Sequence, residues 1–468
     1  MSLPRPVVVF LFLLLAALPA SFSAATAAGV EDAAPATGAY APAGERKLTE
    51  REALILARIL AGQGRRDEAV TLYRELMRRG RVREYRIEAA FQLAGIFMLE
   101  GSFRDAVLLF QDILRMNPDL ARVRLELARA YFLNGDYEDA RLQFELLKGS
   151  GLPPEVQEKV DLFLTRIRRM KDWSVSLDLS LVPDSNINQA SGGEEECIAF
   201  GGMLLCRPLD GEKGGMGLSA GGSFDQYLRF NQDFGLRNSV SVQALEYEQG
   251  SFDDYQLFLA SGPRRTFEQG ELSLQPTFRK RWYAGRQYSE EYGLRLDAQW
   301  SRQRFILAGE LSWSAIRYAD SYVDSFLRGN IFAVSTQARY ILNDRTFVQA
   351  GLACQEDNTR SDAQSSTTWR YALGLYRILP FGLSFFGELS FSPSTYHGSQ
   401  WYITRDYRID SLRRKDRTWQ FFASLSSSSF EKYGITPTLQ YVYTKRDSNI
   451  WTCAYTRHRL NMAFRYRF

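Results

Sequence analysis

Several residue types and patterns are scarce in this chain of 468 residues. It has only two histidines, His397 and His458, and four cysteines, and after residue 28 it contains no run of 18 apolar residues. Two histidines are too few for a metal site built from several imidazoles, and a His-based catalytic triad is not expected. Without a long apolar run, the sequence beyond residue 28 predicts no membrane-spanning helix.

A strong charge of one sign is also missing. Lys and Arg number 58 and Asp and Glu number 54, which leaves a net charge of +4. This balance does not predict a nucleic-acid partner. The sequence also lacks a P-loop, a zinc pattern and a glycine-rich dinucleotide motif. We therefore expect a protein that is not an enzyme and has no cofactor, catalytic residue or metal ligand.

The first segment, MSLPRPVVVFLFLLLAALPASFSAATAA, contains Arg5, an apolar run over residues 7–18 and small residues at 25–27. This order is typical of a cleaved secretory signal peptide, which we predict for residues 1–28. An N-terminal membrane anchor is the alternative. Residues 29–46 are rich in Ala, Pro and Gly and predict a disordered linker. Export leads to a periplasm, a membrane beyond it, or the medium.

Residues 54–170 repeat a helical pattern. The segments LARILAGQGRRDEAVTLYREL, LAGIFMLEGSFRDAVLLFQDIL and LARAYFLNGDYEDARLQFELL align at their centres, with turn glycines 37 and 34 residues apart. This period resembles the tetratricopeptide repeat. We predict a periplasmic tetratricopeptide-like domain over residues 47–172, capped by the helix PEVQEKVDLFLTRIRRMKDW; a generic helical bundle is the alternative. The shared small residues are Gly64, Gly101 and Gly135 in the turns, and Ala69, Ala106 and Ala140 in the second helices.

Helical repeats of this kind present a concave surface to a peptide or protein. Four residues of the first helices fall where that groove is expected: Phe91, Met98, Arg129 and Phe132. We consider them candidate contacts for a client protein. Each of them can instead pack against a neighbouring helix.

Beyond Trp173 the apolar period changes from 3.6 to 2. Fourteen segments, a count good to about two, alternate apolar and polar residues in the manner of strands with two unlike faces. One of them, YGLRLDAQW, opposes an apolar set of Tyr292, Leu294, Leu296, Ala298 and Trp300 to charged and polar residues. The pattern predicts a transmembrane antiparallel β-barrel of about 14 strands over residues 173–468, closed because lipid leaves no partner for an open edge. A secreted β-sandwich is the alternative.

The connections between these segments differ in length. LNDR, LPFG and SRQ are short, whereas DNTRSDAQSS and STYHGSQWYITRDYRIDSLRRK are long and polar. We predict an alternation of short periplasmic turns and long external loops, with both histidines in or beside those loops. The chain ends on RLNMAFRYRF, in which Phe464, Tyr466 and Phe468 share the lipid-facing side. The terminal Phe468 resembles the aromatic signal read by the machinery that inserts barrels.

The four cysteines do not form a metal-binding pattern. Cys197 and Cys206 lie nine residues apart in the first predicted external loop, EEECIAFGGMLLCRP. In an oxidising compartment this spacing predicts a disulfide that closes the loop. Cys354 falls on a lipid-facing side and Cys453 in the last loop, and neither has an obvious partner.

The barrel opens with WSVSLDLSLVPDSNINQAS, in which a PDSNIN element follows the first strand. An Asx-rich turn is a sufficient reading of that element alone. Together with three helical repeats feeding a barrel, however, it resembles the surface lipoprotein assembly modulators, the outer-membrane component of type XI secretion. The residues that carry the resemblance are Pro183, Asp184, Ser185, Asn186, Ile187 and Asn188.

The resemblance implies an outer-membrane translocator that delivers lipoproteins, or related secreted proteins, from the periplasm to the cell surface. The helical repeats would recruit the client and the barrel would provide the path. Implied partners are the client, outer-membrane lipid, the barrel-insertion machinery and periplasmic chaperones, with no nucleic acid and a monomeric protein. The alternative is an outer-membrane porin or polysaccharide exporter with a periplasmic helical arm.

Overall fold

The computed structural model describes residues 48–170, 172–193, 195–200, 203–404, 406, 408–428 and 435–467. The predicted signal peptide and linker lie outside the described residues, as does Phe468. Within the described residues, a helical part precedes a β-barrel. None of the described helices has the length and apolar content needed to cross a membrane.

The helical part consists of three helix–turn–helix pairs followed by a single helix. The turn glycines Gly64, Gly101 and Gly135 have φ values of +81°, +78° and +90°, a left-handed conformation that disfavours other residues. The equivalent alanines of the second helices, Ala69, Ala106 and Ala140, are fully buried, so the helices approach closely. The predicted repeat is confirmed, as α1 (Glu50–Gly62) with α2 (Arg66–Arg79), α3 (Arg83–Glu100) with α4 (Phe103–Met116), α5 (Ala121–Asn134) with α6 (Tyr137–Leu147), and α7 (Pro154–Met170).

The strands that follow form a closed antiparallel barrel of fourteen and a separate two-stranded hairpin. The predicted number of barrel strands is therefore confirmed. The barrel order is β1-β16-β15-β14-β13-β12-β11-β10-β9-β8-β7-β6-β5-β4, and the hairpin is β2-β3. The bounds are β1 (Trp173–Asp184), β2 (Glu195–Phe200), β3 (Met203–Pro208), β4 (Gly215–Arg229), β5 (Phe234–Tyr247), β6 (Asp254–Phe267), β7 (Gly270–Tyr283), β8 (Arg286–Arg302), β9 (Phe305–Tyr318), β10 (Gly329–Asn343), β11 (Thr346–Thr359), β12 (Ser366–Ile378), β13 (Leu383–Ile403), β14 (Ile409–Ser427), β15 (Ile435–Ser448) and β16 (Tyr455–Arg467). A short helix, α8 (Ser321–Leu327), lies between β9 and β10.

The outer face of the barrel is apolar. Large side chains at alternate positions point outward and are exposed, as Trp313 on β9, Leu373 on β12 and Phe464 on β16 are at 50%, 69% and 55%. Most of the side chains between them are polar or small and point inward. Because a closed barrel pairs its backbone groups between strands, this apolar face can meet hydrocarbon without unpaired groups.

The predicted alternation of short and long connections is found in part, but one stretch predicted as a long loop is mostly strand. The stretch STYHGSQWYITRDYRIDSLRRK forms the ends of β13 and β14, which are joined by residues 404–408. Strands can continue to pair in water beyond a bilayer, and there they need no apolar face, so this polar hairpin has the composition of a loop. His397 accordingly lies within β13, with Nε2 2.9 Å from Thr367 Oγ1, and His458 lies within β16.

Candidate functional site

The helical part contacts one rim of the barrel, which we call the near rim. It is formed by the turns at residues 230–233, 268–269, 303–304, 344–345 and 379–382. From α7, Arg169 Nη2 lies 2.9 Å from Asp233 Oδ1, and Thr165 Oγ1 donates a 3.0 Å hydrogen bond to the Glu268 carbonyl oxygen. The helices are therefore docked on several turns of the wall and are not attached to it by the chain alone.

Helix α6 reaches the inner side of the near rim. Its Leu146 is fully buried against three inward-facing side chains of the wall, Ile306, Ile341 and Phe347. Just beyond the helix, a side chain at Gly149 would collide with the backbone of Asn343 at 2.6 Å, so only glycine fits there. The end of α6 is thus packed into the near mouth of the barrel.

Charged side chains surround this apolar contact. Glu145 of α6 is buried and accepts from Arg141 Nη1 at 3.1 Å, and Arg339 of the inner wall lies 3.6 Å from its other oxygen. Glu145 raises the pKa of the Arg141 guanidinium. Arg124 of α5 is buried 3.5 Å from Asp344 in a near-rim turn, and burial lowers the pKa of that arginine. These ion pairs connect the helices to the barrel wall. Because their charges are partly desolvated, each pair stabilises the contact only while both partners are in place.

The inward face of the barrel wall is polar. A cavity of about 560 Å³ lies against it. Its lining alternates small residues with charges of both signs, including Arg237, Glu271, Asp297, Glu310, Arg370 and Glu388. Such a lining suits a hydrated polypeptide rather than hydrocarbon. No group of three or more His, Cys, Asp or Glu in the described part of the chain is arranged to hold a metal ion.

The 183–188 segment lies at the opposite rim, the far rim, where β1 meets β16. Arg457 of β16 donates to the Asp184 carboxylate through Nε at 3.0 and 2.9 Å and through Nη2 at 2.5 Å. The Ser185 amide donates to the His458 carbonyl, and the His458 amide donates to Ser185 Oγ, both at 2.9 Å. Asn186, fully buried, donates from Nδ2 to the Thr456 carbonyl at 3.1 Å. The segment therefore bridges the first and last strands.

The same segment is held from the other side. Tyr247 of β5 donates from Oη to Asp184 Oδ2 at 3.1 Å, reaching across β4. It can do so because β4 has Gly217 beneath the ring; a methyl group there would lie 2.9 Å from Tyr247 Cε1. The Ile187 amide and Asn188 Oδ1 bond the Lys213 backbone, so the return to β4 is also fixed. Asp184 is thus shared by three strands of the wall.

The four predicted groove residues have different surroundings. Phe91 packs on Phe110, with ring centroids 5.8 Å apart, and Phe132 packs edge-on to Phe163 at 5.2 Å. Met98 is half-buried against the helical core, and Arg129 pairs with Glu126 one turn away at 2.8 Å. Their role toward a client stays a prediction.

The remaining predicted residues lie in or near the barrel. Phe464 and Tyr466 belong to β16, with Phe464 on the exposed outer face. Cys206 is disulfide-bonded, and the register of β2 and β3 places Cys197 opposite it. The Cys197–Cys206 pairing itself stays a prediction. Cys354 and Cys453 are free.

Sequence reasoning did not identify the partners of the 183–188 segment or the residues of α6 that enter the near mouth. Arg457 and Tyr247 lie in strands with the same apolar and polar alternation as the others, so their sequence context does not distinguish them as partners of this segment. The one available signal was the glycine-rich start of β4, GMGLSAGG, since glycine inside a strand often marks a close approach. It indicates where a large side chain crosses the strand, but not which one.

Comparison with known proteins agrees with this architecture. The tetratricopeptide repeat model matches residues 97–158. Surface lipoprotein assembly modifier 1 of Haemophilus influenzae is 23% identical over 372 residues, covering 77% of this chain and 73% of that protein. The surface lipoprotein assembly modifier of Pasteurella multocida is 23% identical, covering 78% and 73%. The hemophilin secretion modulator of Acinetobacter baumannii is 22% identical, covering 79% and 76%.

The model of one family extends over the barrel, from the first residue of β1 through the last strand. It matches residues 173–468, which is more than half of the chain, and it includes the 183–188 segment and its partners on β16. The chain belongs to the surface lipoprotein assembly modifier family.

Proposed function

We propose that this protein is an outer-membrane translocator that delivers lipoproteins, or related secreted proteins, from the periplasm to the cell surface. The names of the relatives support this substrate class, since they are assembly modifiers of surface lipoproteins or, in one case, a secretion modulator. The barrel supplies a route because its outer face suits lipid and its inner face is polar. No catalytic role is proposed for any residue.

We place the helical repeats in the periplasm, where they collect the client and bring it to the barrel. The near rim then faces the periplasm and the far rim the exterior. This division is supported by the docking of α6 and α7 on the near rim, which sets a repeat surface beside the barrel mouth. Periplasmic chaperones hand over the client, and the insertion machinery recognises β16. The translocator acts as a monomer.

One observation favours a translocator over the porin or polysaccharide exporter. A porin needs a lumen permanently open to solutes, whereas Leu146 of α6 is packed into the near mouth against the wall. A mouth occupied by a docked helix suits a path opened for a particular client. In planar bilayers we expect the resting protein to conduct far less than a porin of 14 to 16 strands; large, steady conductance would favour the porin.

The test of the proposed function is surface labelling of a candidate client. We would express a lipoprotein encoded beside this protein, with and without the protein, and label intact cells with an antibody against the lipoprotein. The expected result is display only when this protein is present, at unchanged total amount. Equal display in both strains would contradict the proposal.

A further inference from the structure

The junction between β1 and β16 differs from the other junctions of the barrel. All other neighbouring strands follow each other along the barrel sequence, but β1 and β16 are its two ends, and no turn joins them. Their pairing runs from Ser176 opposite Arg467 to Leu181 opposite Met462, and resumes only at Asp184 opposite Arg459. Proline has no N–H to contribute, so Pro183 interrupts the ladder.

Beyond this interruption, one backbone bond from the Ser185 amide to the His458 carbonyl and several side-chain contacts hold the two strands together. The Arg457–Asp184 ion pair and the Asn186 bond to the Thr456 carbonyl lie on the far-rim side of Pro183. The Asp184 side chain is fully buried and that of Arg457 is 17% exposed. Contacts of this kind can be broken and re-formed without unfolding a strand or cutting the chain. The far half of the junction is therefore held by a releasable clamp.

A lipid-anchored client presents a problem that a polar lumen does not solve. Its acyl chains gain free energy with each methylene group placed in hydrocarbon. The inner wall offers Asp297, Glu310 and Glu388 instead. The outer face at the β1–β16 junction offers Leu179 and Phe464, which are opposite each other and half exposed. Acyl chains that enter the barrel must leave sideways to reach the bilayer.

We propose that the β1–β16 junction is the lateral exit for the acyl chains of the client, and that the 183–188 segment with Arg457 is its clamp. This inference rests on the proposed function. It assigns the 183–188 segment a task that a passive turn would not have: it closes the junction while the barrel is empty, and it releases β16 when a lipidated client is in transit.

The test locks the junction with a disulfide. Ser180 on β1 faces Ala463 on β16 across the junction and Ser219 on β4 on its other side, and all three are small and buried. In a background carrying Cys354→Ser and Cys453→Ser, we would compare Ser180→Cys/Ala463→Cys with the matched control Ser180→Cys/Ser219→Cys. Oxidation with copper phenanthroline forms the bond after the barrel has folded, and a reductant reverses it.

The probe is a lipoprotein whose display requires this protein, together with a version whose lipidated cysteine is replaced by serine. Locking the β1–β16 junction should lower display of the lipidated form at least tenfold, restored by reductant, while the unlipidated form passes. The β1–β4 lock should change neither. Undiminished display with the junction locked, or equal loss of both forms, would overturn the inference. A lipoprotein population displayed equally without this protein would instead overturn the proposed function.

A second measurement needs no client. In lipid nanodiscs, Arg457→Gln should speed hydrogen exchange of the β1 amides from Leu177 to Leu181 at least tenfold more than exchange of the β7 and β8 amides. Equal acceleration in all of these strands would show only a general loss of stability and overturn the clamp.

Discussion

Among single residues, Asp184 shows how a buried charge is balanced in this wall. Its carboxylate receives donors from Arg457, Tyr247 and the Asn186 amide, each from a different part of the chain. Charge-assisted hydrogen bonds of this kind are stronger than neutral ones. If the Arg457 cation is removed, the desolvation free energy of the Asp184 carboxylate is no longer compensated, because the carboxylate stays buried.

We therefore expect Arg457→Gln to lower the free energy of unfolding by about 3–5 kcal/mol, because it leaves the Asp184 carboxylate buried and uncompensated. Guanidinium unfolding in micelles, followed by tryptophan fluorescence, measures the change. Arg279→Gln is the control, since the Arg279–Glu291 pair is half exposed on its cationic side, and its loss should cost less than about 1 kcal/mol. Equal shifts in the two variants would contradict the prediction.

The 183–188 segment also shows how far single residues could be predicted. Its composition marked it as a special turn after the first strand, whereas the structure places Pro183 and Asp184 at the end of β1 and only the rest beyond it. Its partners could not be predicted, because Arg457 is 273 positions away from Asp184 along the chain and meets it only when the barrel closes. Closure fixes such pairs through strand number and register, which a local pattern does not contain.

Among the helices and strands, α6 carries a contact that its own pattern does not reveal. Leu146 has the apolar character of a core residue, yet apart from Leu142 of its own helix the side chains of its cluster are in the barrel wall. The alternation of apolar and polar residues identified the outward faces of the strands well, because contact with lipid favours apolar side chains at every second position. It identified β13 and β14 only where they cross the apolar zone, since the paired ends beyond it are polar.

We expect Leu146→Ala to loosen α6 from the near mouth, because replacing a buried leucine costs about 2–5 kcal/mol of packing. Ion conductance in planar bilayers should rise, and cells should admit bulky antibiotics more readily. Leu99→Ala on α3, where the side chain is 77% exposed, is the matched control and should change neither. Unchanged conductance in Leu146→Ala would show that the helix does not close the path.

The last strand supports a prediction about assembly. Phe464 faces outward from β16. Phe468 lies outside the described residues, and the period-2 sequence pattern predicts the same side for it. Removal of Phe468 should lower the amount of folded barrel in the outer membrane several-fold, because the insertion machinery loses its terminal aromatic residue. Heat-modifiable migration of the barrel on gels measures this amount. Removal of one residue from the 404–408 connection is the control, and normal barrel levels without Phe468 would refute the prediction.

For the molecule as a whole, the order of helical repeats and barrel could be predicted from the change of period near Trp173. The docking of the two could not, because it depends on single charges and leucines at the near rim. The repeats and the barrel each have a periodic sequence pattern. The ion pair between Asp119 of the repeats and Arg345 of the barrel, at 2.6 Å, leaves no such pattern. Contacts between the repeats and the barrel depend on the complementary shapes and charges of their surfaces, which no local sequence pattern reveals.

Deletion of residues 45–170 should leave an inserted barrel that exports its client poorly. The barrel strands pair among themselves, so heat-modifiable barrel should remain. Surface labelling of the client should fall at least tenfold, because the repeats that collect it are gone. Replacing the repeats with an unrelated helical repeat of equal length controls for the loss of mass. Full client display by the truncated protein would count against a recruiting role for the repeats.

The connection between α7 and β1 has a mechanical consequence. The helix ends at Met170 and the strand begins at Trp173, so two residues link them, a tether of roughly 10 Å at full stretch. A force on the repeats is thus transmitted along the chain to β1, in addition to the near-rim turns that the helices contact. A client that pulls on the helical repeats would therefore also pull on β1, one of the two strands of the β1–β16 junction.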